Sequence, residues 1–234
     1  MTFKEVMKEL ESLGTEQTRK IYRNHGADIE QFGVSIANIK KIAKKLKGNH
    51  TVGMDLLHSG NVDAIYLSQY VVNPEYIERE DVEEVIELTS YYMVLDNVVA
   101  PLIARNKELI EELLYEYIDS ENDRKRQIGY SAYSIILGSY DDTEIDYDHV
   151  RKCIEFVSKN IHDNENRVRY SMNNFLIAAG AANKEITNLS KDVAKEIGKV
   201  HVYMGKTSCK VPDAYSYIEK IEDRGTIGKK RKLK

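Results

Sequence analysis

The chain has 234 residues, 42% hydrophobic and 31% charged, which suits one generous domain or two small ones with a well-solvated surface. A net charge of −4 excludes a protein surface that is basic throughout and binds nucleic acid everywhere, although basic clusters occur locally. The two cysteines, Cys153 and Cys209, exclude a disulfide framework, so we predict reduced thiols and a cytoplasmic protein.

The N-terminal residues Met1–Glu5 lack the apolar segment of a signal peptide, and no later segment is long and apolar enough to cross a bilayer. Apolar residues recur at helical spacing in residues 3–13 and in residues 35–47, where Ser35 offers an N-cap. The same spacing recurs in residues 81–88, 90–104, 107–118, 149–160, 166–180 and 187–198. With only three prolines and no strand-like alternation, the sequence predicts an all-α protein without membrane contact.

Short polar turns separate the predicted helices at Ser59–Asp63, Ser120–Asp123 and Asp163–Asn166. Their Ser, Asn and Asp side chains can cap the helix that follows. From Asn122 to Asn166 is 44 positions, within the roughly 40–47 residues of a HEAT or armadillo repeat. The pattern predicts a HEAT-like helical repeat solenoid, curved, with a concave face suited to a long ligand. A non-repeating helical bundle is the alternative fold.

No linker divides the chain, so we predict one domain over residues 1–223, followed by a basic, disordered tail at residues 224–234. Basic runs also occur at Lys40–Lys47, Arg124–Arg126 and Arg167–Arg169. Such a run is most often a solvated helix face, but a local cluster can also bind phosphate. We expect a monomer, because the ends of a solenoid are capped by its own terminal repeats.

Met204–Ser208 ends like a phosphate-binding loop, but the glycine required five positions before Gly205 is Val200. The sequence also lacks the spaced histidine and cysteine motifs of zinc sites and the serine motif of hydrolases. It therefore predicts neither a metal nor a cofactor.

Four stretches between about residue 20 and about residue 220 each resemble a segment of the same protein family. They are Tyr22–Ala27 with Phe32–Ser35, Leu57–Ala64, Arg167–Ile177, and Thr207–Ala214 with Tyr217-Ile218. Through them the chain resembles the DNA alkylation repair family of HEAT-like repeat glycosylases. The resemblance implies that double-stranded DNA lies in a basic concave cleft and that N3- or N7-alkylated purines are excised by hydrolysis of the N-glycosidic bond. A carboxylate beside the deoxyribose stabilises the cationic sugar, and the charged purine leaves without a general acid.

The resemblance assigns catalytic roles to Tyr92, Asp96 and Arg126. Tyr92 and Asp96 lie four residues apart and so share a helical face, although the family has tryptophan at the first position. The alternative role for Asp96 is a hydrogen bond or salt bridge between repeats. Arg126 can bind phosphate at a helix start, with Arg124 as the alternative register.

The predicted DNA-binding side chains are those of Arg124, Lys125, Arg126, Arg167, Arg169, Asn173, Lys206 and Lys210. The family's second tryptophan falls at Asn173, which has no ring, and the chain contains no tryptophan. The sequence leaves three functions open: a glycosylase that acts through Asp96, a non-catalytic HEAT-like protein that binds damaged, bent or branched DNA, and a protein–protein scaffold.

Overall fold

The structure is a computed structural model and describes residues 1–233. Apart from an isolated bridge between Glu30 and Asn61, regular secondary structure in this part of the chain is helical, which confirms the predicted all-α class. The α-helices are α1 (Phe3–Leu13), α2 (Glu16–Asn24), α3 (Ile36–Lys45), α4 (His50–Leu57), α5 (Val62–Ser68), α6 (Arg79–Leu88), α7 (Tyr92–Val94), α8 (Ala100–Ala104), α9 (Lys107–Asp119), α10 (Asp123–Ser139), α11 (Tyr147–Asn160), α12 (Asn166–Ala182), α13 (Lys184–Ile197) and α14 (Ala214–Asp223). A π-helical turn spans Leu95–Val99, and 3-10 turns span Pro74–Tyr76, Asp142–Glu144 and Ile161–Asp163.

The chain divides into two compact units, and the division falls within α9. Unit 1 contains Met1–Leu113 together with Met204–Ser208. Unit 2 contains Leu114–Tyr203 together with the segment that begins at Cys209. The single domain that the sequence predicts over residues 1–223 stays a prediction.

Unit 1 is built on amphipathic helices whose apolar faces share one core. The fully buried side chains of this core include Val6, Leu10, Ile39, Ile42, Leu56 and Leu67, from α1, α3, α4 and α5. These four helices begin at the side-chain caps Thr2, Ser35, Asn49 and Asn61, so the N-cap predicted at Ser35 is confirmed. The caps accept N–H groups that the first helical turn leaves without partners. Each buried aliphatic side chain contributes about 1.5–3 kcal/mol to folding.

A buried carboxylate fixes the loop that precedes α3. Asp63 accepts the N–H groups of Phe32, Gly33 and Val34 at 2.7, 3.0 and 2.7 Å. Burial raises the pKa of Asp63, while these hydrogen bonds oppose the rise. Two of the stretches that resemble the DNA alkylation repair family are thereby joined through a side chain that is wholly buried.

Unit 2 is centred on α10 and α12, two 17-residue helices that pack along one another. The rings of Tyr130 and Tyr133 lie 5.3 and 5.4 Å from that of Phe175, between centroids. Helix α12 also packs against α13 and α14, and α11 packs against α13. Successive helix pairs therefore bury one another's apolar faces, as repeat architectures require.

The segment after α14 makes backbone contacts within unit 2. The Gly228 N–H donates to the Ala181 carbonyl at 2.9 Å, and the Arg231 N–H donates to the Gly138 carbonyl at 2.8 Å. Lys230 forms an ion pair with Asp142 at 2.8 Å. These contacts give residues 228–231 defined partners, while the disorder predicted for residues 224–234 stays a prediction. Lys234 lies outside the described residues.

Candidate nucleic-acid interface

Asp96 lies on a π-helical turn and is partly buried. The Ala100 N–H donates to the Leu95 carbonyl, five residues earlier, instead of following the usual α-helical register. Pro101 provides the physical cause, since it lacks an N–H and its ring crowds the carbonyl four residues before it. The sequence predicts a regular helix over residues 90–104, and this prediction is wrong for the middle turn, which is π-helical. Single π turns of this kind are frequent at functional sites.

Tyr92 is anchored by the neighbouring family stretch. Its hydroxyl lies 2.7 Å from Nδ1 of His25, and the two ring centroids are 6.1 Å apart. The buried ring of Tyr91 meets that of Tyr92 edge-on, at 5.4 Å between centroids. The ring of Tyr92 therefore has a defined place in unit 1. The sequence gives no local signal of the pairing with His25, because 67 residues separate the partners.

The chain immediately before Tyr92 is held by Asp28. The Asp28 carboxylate accepts the Ser90 N–H at 2.8 Å, the Ser90 hydroxyl at 2.6 Å and the Thr89 hydroxyl. Burial alone raises the pKa of Asp28, but the hydrogen bonds from Ser90 and Thr89 lower it overall. The charged carboxylate is thus part of the structure that positions the start of α7.

Lys206 also belongs to unit 1. Its backbone N–H donates to the Asn24 carbonyl at 3.0 Å, next to His25 in the chain. Gly205 has a φ of 73°, and a Cβ there would overlap the Asn24 carbonyl oxygen. The segment that ends like a phosphate-binding loop is therefore a docking loop whose glycine permits a close backbone approach. The Lys206 side chain is exposed, as is that of Lys210 in unit 2.

The first turn of α10 carries the cluster Arg124–Arg126. The N-cap Asn122 accepts the N–H groups of Arg124 and Lys125, at 3.0 and 3.3 Å. Arg126 donates from Nη1 to Oδ1 of Asn164 at 2.8 Å, and its guanidinium lies 5.9 Å from the centre of the Phe156 ring. Its Nε is buried and has no hydrogen-bond partner in the described structure.

The first turn of α12 repeats this pattern. Arg124 and Arg126 recur 43 positions later as Arg167 and Arg169. The Arg167 guanidinium lies 4.6 Å from the centre of the Tyr170 ring, and the Nε of Arg169 is buried without a partner among the described atoms. Within residues 1–233, neither Arg126 nor Arg169 forms an ion pair with a carboxylate.

The N-terminal turns of α10 and α12 are close enough for their acidic residues to interact. Burial first, and the charge of Glu165 second, raise the pKa of Asp123, whereas Arg126 opposes the rise. The hydrogen bond from Arg126 to Asn164 also joins the start of α10 to the turn before α12. The partly buried guanidinium groups of Arg126 and Arg169 thus lie on adjacent helix starts, where backbone N–H groups also favour anions.

Asn173 stands where the resemblance implies an aromatic side chain. It is only 1% exposed, and its Nδ2 donates to the Pro212 carbonyl at 3.0 Å. The amide joins α12 to the segment before α14. This burial favours a structural role for Asn173 over a contact with DNA.

Unit 1 has an acidic cavity of about 420 Å³. Its lining includes Glu75, Glu78, Glu80, Glu108 and Glu112. Carboxylates at this density repel a phosphate backbone, so the cavity is poorly suited to binding DNA. No cluster of His, Cys, Asp and Glu within residues 1–233 has the arrangement of a metal site. None of the helices described for this chain is long and apolar enough to cross a membrane.

Comparison with known proteins places this geometry in a family. The model of the DNA alkylation repair enzyme family matches residues 6–192. The chain belongs to this family. Two uncharacterized proteins, from Listeria innocua and Listeria monocytogenes, are 34% and 33% identical to it over 231 residues, which is 96% of this chain and 99% of each relative.

A solved structure is similar over nearly the whole chain. It is described as "a new family of proteins related to the HEAT-like repeat DNA glycosylases with affinity for branched DNA structures". The TM-score is 0.89 with 33% sequence identity, over 99% of this chain and 98% of that chain. This similarity confirms the HEAT-like repeat fold that the spacing of the polar turns predicts.

Proposed function

We propose that this protein binds branched DNA through phosphate contacts from the first turns of α10 and α12. One observation carries the proposal: Arg126 and Arg169 are partly buried and have no carboxylate partner within residues 1–233. A partly desolvated guanidinium that forms no ion pair is costly, and the charge of the exposed Asp123 acts on Arg126 without forming one. Phosphate oxygens supply both the charge and the paired acceptors that an arginine prefers.

The preference for branched DNA is supported by two features. The similar solved protein, which matches 99% of this chain, belongs to a family with affinity for branched DNA structures. Asn173 is buried and the chain has no tryptophan, so neither family tryptophan is available to flank an alkylated nucleotide. Backbone contacts carry little sequence information, and they suit a ligand that is recognised by its shape.

Excision of alkylated purines is the second candidate function, and Asp96 is the observation that favours it. Its carboxylate lies on the π turn one helical turn after the anchored ring of Tyr92. In this reaction the C1′–N bond breaks and its electron pair leaves with the cationic purine. Water adds to C1′ and releases a proton, while the carboxylate stabilises the cationic sugar and orients the water. Arg126, in unit 2, is proposed only as a contact to a DNA phosphate.

Location, assembly and the complete binding surface are further parts of the proposal. Family membership and the Listeria relatives favour the cytoplasm, where bacterial DNA lies. We propose a monomer whose partner is DNA. The basic concave cleft that the resemblance implies, with Asp96 and Arg126 facing one ligand, stays a prediction.

Fluorescence anisotropy with a four-way junction, a fork and a duplex, each at several salt concentrations, tests DNA binding. Replacing Arg126 and Arg169 together by Ala is expected to weaken binding to all three ligands. On duplex DNA, removal of two phosphate contacts reduces the salt slope by about 1.8. Arg79→Ala is the matched control, because Arg79 pairs with Glu83 beside the acidic cavity. Equal binding by the double variant and the wild type would contradict the placement of the interface.

Release of 7-methylguanine and 3-methyladenine from methylated duplex DNA tests the second candidate. Wild type and Asp96→Asn are compared at equal concentration, with circular dichroism as the control for folding. Release by the wild type alone establishes excision through Asp96. No release from either folded protein leaves branched-DNA binding as the function.

A further inference from the structure

Tyr203 presents an exposed ring on a fixed backbone. Its side chain is 68% exposed, the largest exposure among the hydrophobic residues described. The Tyr203 N–H donates to Oδ1 of Asn166 at 2.6 Å, and Nδ2 of Asn166 donates to the Tyr203 carbonyl at 2.8 Å. One asparagine side chain therefore holds both backbone polar groups of Tyr203, within unit 2.

This position lies beside the arginines of α12. Asn166 is the first residue of α12, and Arg167 and Arg169 follow it in the same helical turn. Two other tyrosine rings of unit 2 already have a cation over them: Arg167 lies 4.6 Å from the centre of the Tyr170 ring, and Lys220 lies 5.5 Å from that of Tyr217. The Tyr203 ring contacts no other ring and no cation within residues 1–233.

An aromatic ring that is exposed on an ordered backbone is suited to stack on another flat group. The two hydrogen bonds between Asn166 and the Tyr203 backbone have already ordered this backbone, so binding loses little further conformational freedom. Every nucleobase offers a π-face, but in a continuous duplex those faces are covered by the neighbouring base pairs. A branch point that carries unpaired nucleotides uncovers them.

We propose that Tyr203 stacks on an unpaired nucleobase at a DNA branch point, while Arg169 binds a phosphate of the same strand. The inference rests on the proposed function, because it takes branched DNA as the ligand. The inference identifies the Tyr203 ring as the group by which the protein distinguishes branched DNA from a duplex. Arginine contacts to phosphate are shared by both ligands, whereas a stacked base is available only where pairing ends.

The first experiment compares binding to a fork with unpaired nucleotides and to a fully paired duplex. Tyr203→Ala is expected to weaken fork binding about ten-fold and to leave duplex binding unchanged, since stacking of one base supports a change of this size. The salt slope is expected to stay the same, because no phosphate contact is lost. Tyr203→Phe retains the ring and is expected to bind the fork as the wild type does.

Tyr76→Ala is the matched control. Tyr76 is 65% exposed, close to the exposure of Tyr203, but it lines the acidic cavity of unit 1. Replacement of Tyr76 by Ala is expected to change neither the affinity for the fork nor the affinity for the duplex. A loss of fork binding in Tyr76→Ala equal to that in Tyr203→Ala would overturn the inference, because removal of any exposed ring would then have the same effect.

A spectroscopic test uses the absence of tryptophan from the chain. Tyr203→Trp introduces the chain's single tryptophan at the proposed contact, which can be excited apart from the tyrosines, and stacking on a base is expected to quench its emission when the fork is added. A fork that is abasic at the branch position is expected to leave the emission high. Equal quenching by the two forks would overturn the stacking.

The outcomes separate the inference from the function on which it rests. If the wild type binds DNA and the replacement of Arg126 and Arg169 weakens it, but Tyr203→Ala binds the fork as the wild type does, the function stands and the inference fails. If the wild type binds no DNA in a salt-dependent manner, the proposed function fails and the inference fails with it.

Discussion

The hydroxyl of Tyr92 and Nδ1 of His25 lie 2.7 Å apart, although 67 residues separate the two in sequence. His25 belongs to the Tyr22–Ala27 stretch that resembles the DNA alkylation repair family, and Tyr92 precedes the π turn that carries Asp96. The family stretch at the end of α2 therefore acts as a support for the candidate catalytic helix.

Tyr92→Phe tests this support. The substitution keeps the ring and removes the hydroxyl, so we expect the free energy of unfolding to fall by about 1 kcal/mol. Urea denaturation followed by circular dichroism measures the change. Tyr217→Phe, at a tyrosine that is 48% exposed, is the control and is expected to leave the midpoint unchanged. An unchanged midpoint for Tyr92→Phe would show that the hydrogen bond contributes no stability.

Asp28 makes part of the stability dependent on pH. Its folded-state pKa is lowered from 3.8, so its contribution is fully present above pH 3.8 and is lost as the pH falls towards the folded-state value. Asp28→Asn removes the titrating group. We expect the variant to be less stable than the wild type at neutral pH and the difference to shrink in acid.

Urea midpoints measured from neutral pH to about pH 2 give the comparison for Asp28. Asp223→Asn, at an exposed position at the end of α14, is the control substitution. A constant difference between Asp28→Asn and wild type at every pH would argue against a lowered pKa.

Gly205→Ala tests the docking of Met204–Ser208 in unit 1. The added Cβ would overlap the Asn24 carbonyl, so we expect the Lys206 N–H to lose its hydrogen bond and to exchange faster with solvent. Gly225→Ala is a matched control, because its φ of 63° is equally unfavourable for alanine but no atom lies within 4 Å of the added Cβ. Equal protection of Lys206 in both variants would show that the close approach is not needed.

Asn173→Trp tests whether the family aromatic can simply be restored. Because Asn173 is 1% exposed and bonded to Pro212, the larger ring overfills its site. We expect a loss of at least about 1–3 kcal/mol in the free energy of unfolding and no gain in release of alkylated purines. Asn173→Ala, which removes the amide and its hydrogen bond without overfilling the site, is the smaller control change. A stable Asn173→Trp variant that excises 3-methyladenine would contradict the structural role of Asn173.

Periodicity predicted the helices well where burial alone determines them. Residues 3–13 coincide with α1, and residues 107–118 differ from α9 by one residue, because each has a continuous apolar face. Periodicity missed the π turn in residues 90–104, because the apolar pattern continues through it. Only Pro101 indicates in the sequence that the helical hydrogen-bond register changes there. The apolar period of a helix indicates which face is buried, and one extra residue in a single turn changes this apolar pattern little.

The candidate site was less accessible to sequence reasoning. The clusters at Arg124–Arg126 and Arg167–Arg169 are visible as charge, but the lack of a carboxylate partner at Arg126 and Arg169 within residues 1–233 depends on packing and is not encoded in a local pattern. The burial of Asn173 has the same origin, because its partner at Pro212 is distant in the chain. Tyr203 gave no signal at all, since one tyrosine in a loop looks like any other until its exposure and its hydrogen bonds to Asn166 are known.

The π turn at Leu95–Val99 amounts to one surplus residue within an otherwise regular helix. The α-helical segments on either side can keep their contacts with the core whether or not the surplus residue is present. Asp96 lies on that turn, so deletion of one residue from it is expected to reorient the carboxylate without redesigning the fold. The register of this one turn therefore sets the position of the carboxylate relative to the ring of Tyr92, independently of the packing that holds the surrounding helices.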